Sequence, residues 1–178
     1  MVSCSGGADS TALFHLLCHF SKYKKKFPLA VAHVNFGLRG EESNLDERFS
    51  EALARTAGVP FNLLKVGPRE IAQKPGKSVQ EWARDVRKAA LLDWSQSKKF
   101  AIAVAHHLDD VAETALLRLA RGSGPGTLSG MRTWDDPFWR PLLREKKSAL
   151  AAFLEKNRLP HIRTKSAKET RRKLRTVA

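Results

Sequence analysis

Two cysteines, Cys4 and Cys18, are all that the 178 residues contain, and they match neither a disulfide framework nor a CxxC pair. No apolar run approaches the length needed to span a membrane, and the N-terminus lacks the layout of a secretory signal. A cytoplasmic protein without membrane contact is the expectation. Acidic residues are scarce: 18 Asp and Glu against 32 Lys and Arg leave a formal net charge of +14. That balance is extreme for a simple metabolic enzyme and points to a polyanionic partner, although a merely soluble basic surface would look alike. The basic residues thicken at Lys22–Lys26, at Arg140–Lys147 and from Arg163 to Arg175. Internal repeats and low-complexity tracts are missing too, and the length fits one domain with a short appendage.

What is present starts at Ser5-Gly6-Gly7-Ala8-Asp9-Ser10. A short apolar run precedes this hexad, and Ala12, Leu13, Leu16, Leu17 and Phe20 follow at helical spacing. Strand, glycine turn and helix in that order make a phosphate cradle, because backbone N–H groups and the positive end of the helix dipole converge on one point. Ser5 and Ser10 add hydroxyl donors. Asp9 would repel a phosphate unless a cation bridged them, so the loop reads as a nucleotide–Mg²⁺ site. An ordinary Ser/Gly/Asp turn capping a helix is the competing reading. The Walker loop is excluded, since no Gly-Lys-Ser/Thr closes the hexad, and the three-glycine dinucleotide fingerprint is excluded as well.

Further along, strand and helix patterns alternate. Strands are expected at Leu29–Val34, Phe61–Val66, Phe100–Ala105 and Phe138–Leu143. Helices are expected from about Asn44 to Ala57, from a Ser78/Glu81 capping box through Trp94, from about Asp110 to Leu119, and over Lys146–Asn157 with Leu150, Phe153 and Leu154 inward. Repeated βα units imply an α/β fold with a doubly wound, mainly parallel sheet and ligands at the carboxyl ends of its strands.

Three polar constellations fall at such ends. His33-Val34-Asn35-Phe36-Gly37-Leu38-Arg39-Gly40-Glu41-Glu42 follows the second strand, and Glu81–Arg87 sets Arg84 and Arg87 one turn apart on a helix. Chance easily supplies the first, and on local evidence alone a solvated basic face is the better account of the second. The third is stronger: Ala105-His106-His107-Leu108-Asp109-Asp110-Val111-Ala112-Glu113-Thr114. Asp110 and Glu113 share a helical face, and Asp109 is a natural cap. Adjacent histidines are poor spacing for a single zinc, and no cysteine joins them, so a substrate-activating cluster is preferred.

The hexad resembles the SGGxDS loop of the N-type ATP pyrophosphatases, the PP-loop superfamily, which split ATP between its α and β phosphates. Within that group the chain resembles the tRNA(Ile)-lysidine synthetase family. The likeness rests on SGGADS, HVNFGLRGEES, EWARDVR, AHHLDDVAETALLRLARGSG with Gly130-Met131, and Arg140-Pro141-Leu142-Leu143, in the family's order from Val2 to about Leu159. The resemblance implies a Rossmann-like fold of the adenine nucleotide alpha hydrolase type. It implies ATP-dependent ligation of lysine to the wobble cytidine of isoleucine tRNA with a CAU anticodon, through an adenylated tRNA. Ser5, Gly6, Gly7, Ala8, Asp9, Ser10 and His33 would then serve ATP, with Asp9 near Mg²⁺. His106, Asp110, Glu113 and Arg84 would be catalytic, His106 at the reacting phosphate and the two acids at lysine. Arg84 and Arg121 would contact tRNA phosphate or cytidine.

Departures from the family pattern set further expectations. Only Val2–Cys4 stand before the loop, where the family has a longer first strand. Phe36 replaces a usual second histidine, Lys88 a common tyrosine and Val111 a frequent glutamine. The family's DPSN…RNxxR segment corresponds to Ser166–Arg175, which keeps a basic end and makes Arg171 and Arg175 candidates. Residues 1–160 are thus expected to form the PP-loop domain and 161–178 a short basic tail, without the family's further C-terminal domains. A homodimer would supply tRNA contacts that one short chain lacks. Two other readings stay open: a tRNA cytidine thiolase, for which Cys4 and Cys18 are poorly placed, and a non-catalytic nucleotide- or RNA-binding relative.

Overall fold

The computed structural model describes residues 1–23, 27–66, 79–98, 100–120, 122 and 131–162. Ser78, Arg121, Gly130, Arg171, Arg175, the basic tail and most of the glycine-rich loop at 121–126 lie outside the described residues. Strands are β1 (Val2–Ser3), β2 (Val31–Asn35), β3 (Phe61–Lys65), β4 (Ile102–Ala103), β5 (Trp134–Asp135) and β6 (Phe138–Trp139). Helices are α1 (Ala8–Tyr23), α2 (Glu41–Ala57), α3 (Val79–Lys98), α4 (Leu108–Ala120) and α5 (Lys147–Lys156).

Alternation of side chains explains the layering. In β2, Val31 packs into one apolar cluster while Ala32 and Val34 pack into the other. One face carries Val2, Val31 and Ala103 against Leu13, Phe14 and Leu17 of α1, Leu53 and Ala54 of α2, and Leu150 and Leu154 of α5. The opposite face carries Met1, Ala32, Val34, Ile102 and Phe138 against Trp82 and Leu91 of α3. Helices cover both faces, so the sheet is doubly wound. Leu154 is fully buried, and each such side chain stabilises the fold by about 1.5–3 kcal/mol.

The sheet has six strands in the order β3-β2-β1-β4-β6-β5. Every pairing is parallel except the closing hairpin β5–β6. Chain order reverses between β1 and β4, and the crevice at such a switch point is where these sheets bind ligands. Although β1 is two residues long, it sits centrally: Val2 pairs with Val31 on one side and Ala103 on the other. Support from both neighbours makes up for its length.

Several boundaries differ from the sequence expectation. Phe100–Ala105 contributes only Ile102–Ala103 to the ladder, because its neighbours β1 and β6 are themselves two residues long. Phe138–Leu143 contributes only Phe138–Trp139, and the chain then turns at Arg140–Arg144. β5 was not expected. Helix α2 starts at Glu41, not Asn44: Gly40 takes a positive φ of 54° and Glu41 and Glu42 complement the helix dipole in its first turn.

Candidate active site

The loop after β1 is built around one hydroxyl. Ser10 Oγ, buried on α1, donates to Gly7 O at 3.1 Å and accepts from the Ser5 N–H at 3.2 Å. It also lies 3.2 Å from Ser5 Oγ. Thr11 Oγ1 donates to Gly6 O at 3.2 Å. Ser10 therefore shapes the loop from inside, while Ser5 stays exposed at its mouth. Gly6 takes φ +81°, a conformation that costs any L side chain, and a Cβ there would meet Ile162 Cδ1 at 3.0 Å. Ile162 closes the far side, donating its N–H to Gly6 O at 2.9 Å and bridging to Gly7. Helix α1 opens at Ala8, so the N–H groups of its first turn face outward at this point.

His33 lies beneath the loop. It is buried, with Nδ1 2.9 Å from Cys4 O and 3.3 Å from Ser50 Oγ on α2. A carbonyl only accepts, so Nδ1 carries the proton and the ring holds the residue that leads into the hexad. Burial lowers its proton affinity, with a further push from Arg87, against opposing pulls from the Cys4 carbonyl, Asp46 and Glu47. Beyond β2, Asn35 Oδ1 accepts from the Gly37 N–H at 2.8 Å and its Nδ2 donates to Glu47 Oε2 at 2.6 Å. Phe36 packs on Trp82 with ring centroids 5.9 Å apart, and the Arg87 guanidinium sits 5.6 Å from its ring. This position thus ties the loop after β2 to α3 and offers no imidazole to a ligand.

Across the switch point stands the His106–Glu113 segment. His107 is the residue before α4. Its N–H donates to Asp110 Oδ2 at 2.8 Å, and its Nδ1 accepts from the Asp110 N–H at 3.3 Å. That reciprocal pair has the logic of a capping box, with histidine and aspartate in place of the usual serine and glutamate. Nδ1 also lies 3.3 Å from Asp110 Oδ2, and Nε2 points at Asp9 Oδ2, 3.6 Å away. His107 is buried and so connects the carboxylate of the glycine loop with that of α4. Asp109 does not cap its own helix, as expected from sequence. Its Oδ2 accepts from the Lys147 N–H at 2.9 Å and caps α5 instead, because it lies inside the first turn of α4 and faces outward.

His106 is half-buried and meets Arg140, whose Nε donates to His106 Nδ1 at 3.3 Å. Burial first, then the cations Arg140 and Arg84, depress the proton affinity of His106, with Asp110 pulling the other way. Arg84 and Glu113 are exposed on α3 and α4. Sequence reasoning missed Arg140 and His107 as site residues. Only the tandem histidines signalled His107, and Arg140 stood out solely within its Arg-Pro-Leu-Leu run.

The cysteines are far from suited to sulfur chemistry. Cys4 is buried, Cys18 lies on α1, and burial raises both thiols, Cys18 to about 11. Among the described residues no group of three His, Cys, Asp or Glu could hold a metal. No described helix is long and apolar enough to cross a membrane. A groove of about 1060 Å³ opens at the other end of the sheet, bordered by Leu29 and Pro60 at the amino ends of β2 and β3. It holds no cluster of acids.

A glycine loop and an acid-bearing helix meeting at the switch point define the class: the chain belongs to the PP-loop domain family, whose model matches residues 1–177. Its similar proteins include tRNA(Ile)-lysidine synthases. That of Bacteroides thetaiotaomicron is 37% identical over 160 residues, covering 87% of this chain and 35% of the relative. That of Chlorobaculum tepidum is 34% identical over 160 residues, covering 89% and 48%. That of Porphyromonas gingivalis strain W83 is 36% identical over 177 residues, covering 96% and 37%. The chain therefore spans a third to a half of the length of these relatives. Among solved structures, a U34-tRNA thiolase of Methanococcus maripaludis superposes with TM-score 0.75 at 18% identity, covering 93% of this chain and 58% of that one. An NH3-dependent NAD synthetase of Campylobacter jejuni gives 0.58 at 18% identity, covering 89% and 63%. These two share the fold, a Rossmann-like mainly parallel sheet of the adenine nucleotide alpha hydrolase type.

Proposed function

We propose that this chain carries the catalytic site of a tRNA(Ile)-lysidine synthetase, ligating lysine to the wobble cytidine of isoleucine tRNA with a CAU anticodon at the expense of ATP. The observation that carries the reading is the bridge from Asp9 through His107 to Asp110. One imidazole stands between the Asp9 carboxylate, 3.6 Å from Nε2, and the Asp110 carboxylate, 3.3 Å from Nδ1. Adenylation followed by amine attack requires that proximity.

In the first step cytidine O2 attacks the α-phosphorus. The new O–P bond forms as the α–β bridging bond breaks, and pyrophosphate leaves with the bonding electrons. Ser5, the N–H groups of Gly7, Ala8 and Asp9, and the α1 dipole hold the phosphates, whose charge grows during the step. His33 and Ser10 keep that loop in shape. Asp9 would hold Mg²⁺: a hard cation binding through one carboxylate plus phosphate oxygens suits a lone acid 30% exposed at the loop mouth. The ion, when bound, offsets phosphate charge. His106 donates a hydrogen bond to the reacting phosphate, and Arg84 supplies positive charge towards tRNA.

In the second step the lysine ε-ammonium docks on Asp110 and Glu113, one turn apart on α4. The pair takes one proton, the free amine attacks C2, a C–N bond forms, and the C2–O bond breaks to release AMP. The net charge of +14 suits a tRNA partner, whose phosphates dominate affinity.

A second reading fits the net charge of +14 and the phosphate cradle equally well: a nucleotide- and RNA-binding protein that completes no ligation. One experiment separates the two. The 178-residue protein is incubated with ATP, Mg²⁺, lysine and CAU isoleucine tRNA, and nucleosides are analysed by mass spectrometry. Lysidine with stoichiometric pyrophosphate supports the ligase. Neither product, with ATP and tRNA still bound, supports the binding protein.

A further inference from the structure

The hairpin β5–β6 is the one antiparallel pairing among the described strands, and Arg140 follows it directly. The Arg140 N–H donates to Thr133 O at 2.7 Å, pinning the backbone across the hairpin. Its guanidinium donates through Nη1 to Arg132 O at 3.0 Å and through Nη2 to Asp135 Oδ2 at 3.4 Å. The Phe138 ring lies 5.8 Å from the same group, and the side chain is only 12% exposed. Four anchors fix a long, otherwise mobile side chain. The Nε–H points at His106 Nδ1.

Arginine has donors and no acceptor, and it stays charged at any pH of interest. A nitrogen receiving its N–H must present a lone pair. His106 can then be neither an imidazolium nor the Nδ1-protonated tautomer while this contact stands. We propose that Arg140 is a positioning residue that locks His106 as a neutral imidazole protonated on Nε2, making it a hydrogen-bond donor to phosphate and not a base.

The groups facing His106 are Asp110 and His107 from its own segment, Arg84 from α3 and Arg140 from the hairpin. Burial is the largest influence and favours the neutral ring, Asp110 opposes it, and Arg140 and Arg84 add to the burial. The chemistry agrees. A carbonyl oxygen such as cytidine O2 carries no proton, so its attack on phosphorus needs no base, only a donor for the phosphoryl oxygens. The proton stays on Nε2 throughout.

The consequence for catalysis rests on the adenylation reading, but the tautomer does not, and the test keeps them apart. Long-range ¹H–¹⁵N spectra of the ¹⁵N-labelled protein report both ring nitrogens of His106, its peaks being those lost in H106Q. The wild-type ring is expected to be neutral and Nε2-protonated at about pH 7, and to charge only below the ordinary histidine value of about 6.5. In R140M it should show mixed tautomers and a proton affinity risen towards that ordinary value. R140Q keeps an amide donor and should restore the Nε2 form. A wild-type ring that is charged or Nδ1-protonated overturns the proposal, and this spectrum needs no variant to fold. So does R140M with native circular dichroism and unchanged His106 signals. Pyrophosphate release should fall about 100-fold in R140M at saturating ATP, with the KM for ATP within about twofold, and largely recover in R140Q. A wild type that releases no pyrophosphate defeats the functional reading alone, while the spectra still decide the tautomer.

Discussion

His107 reaches Asp9 with one ring nitrogen, Nε2 at 3.6 Å from Oδ2, while the other nitrogen accepts the Asp110 N–H. Two amide side chains separate these jobs. Asparagine places an acceptor where Nδ1 stands and keeps the helix cap, whereas glutamine reaches the position of Nε2 and loses the cap. H107N should thus raise the KM for ATP about tenfold, ~1.4 kcal/mol, with lysine KM and stability little changed. H107Q should lose about 1 kcal/mol of stability and weaken lysine use first. Steady-state kinetics and urea titration check the split, and identical profiles for the two variants would remove the bridge from the account.

Asp9 and Asp110 differ in what they serve. D110N retains an oxygen to accept the His107 N–H, so α4 keeps its start, but it loses the charge that holds an ammonium. Its lysine KM should rise about 30-fold or more with ATP binding intact. D9N should impair pyrophosphate release and ligation together. Isothermal titration with an unreactive ATP analogue distinguishes the two, since only D9N should bind it weakly.

Gly6 and Gly58 both have positive φ, but only Gly6 is crowded. A Cβ at Gly6 meets Ile162 at 3.0 Å and Phe49 at 3.4 Å, and one at Gly58 meets nothing within 4 Å. G58A should therefore cost only the backbone term of about 1–2 kcal/mol. G6A should cost more and also weaken ATP binding, because Ile162 must move off the loop. Equal destabilisation in urea would show that Ile162 does not brace the glycine turn.

The Asp109 carboxyl is held below its usual range, chiefly by the Lys147 N–H it accepts. A depressed folded value means the carboxylate stabilises the protein above the unfolded value near 3.8 and ceases to as pH falls through the folded one. D109N keeps an acceptor oxygen without the charge. Wild type should melt above D109N at pH 7, with the margin closing as pH drops below the ordinary carboxylate range. A margin constant with pH would mean that charge plays no part in capping α5.

Much of the site was legible because its residues are consecutive. The hexad and the His106–Glu113 run each occupy one strand end, and the alternation of βα patterns fixed which ends would meet. His107 and Arg140 were hidden for a different reason: their roles are set by partners distant in sequence. Arg140 reaches His106 across 34 positions, and no local pattern announces which donor a ring nitrogen will face. Asp109 misled for a related reason, since the carboxylate closest to a helix start is an obvious cap until a second helix competes for it. β5 escaped because a two-residue strand carries no periodicity, whereas the strand expected from Phe138 exists as β6 but is shorter.

Helix α4 carries Asp110 and Glu113, yet none of its residues is buried. Its first turn is moored by Leu108 N–H on Glu145 O at 2.8 Å, Asp109 on α5, and the His107 cap. Local stability follows buried apolar contact. The helix carrying Asp110 and Glu113 is thus less buried than α1, whose Leu13, Phe14 and Leu17 lie in the core. Exchange of α4 amides should run ahead of those in α1, and lysine should slow it. Under the proposed function, a helix that tightens only on binding lysine would let a bulky tRNA enter first and the small amine second.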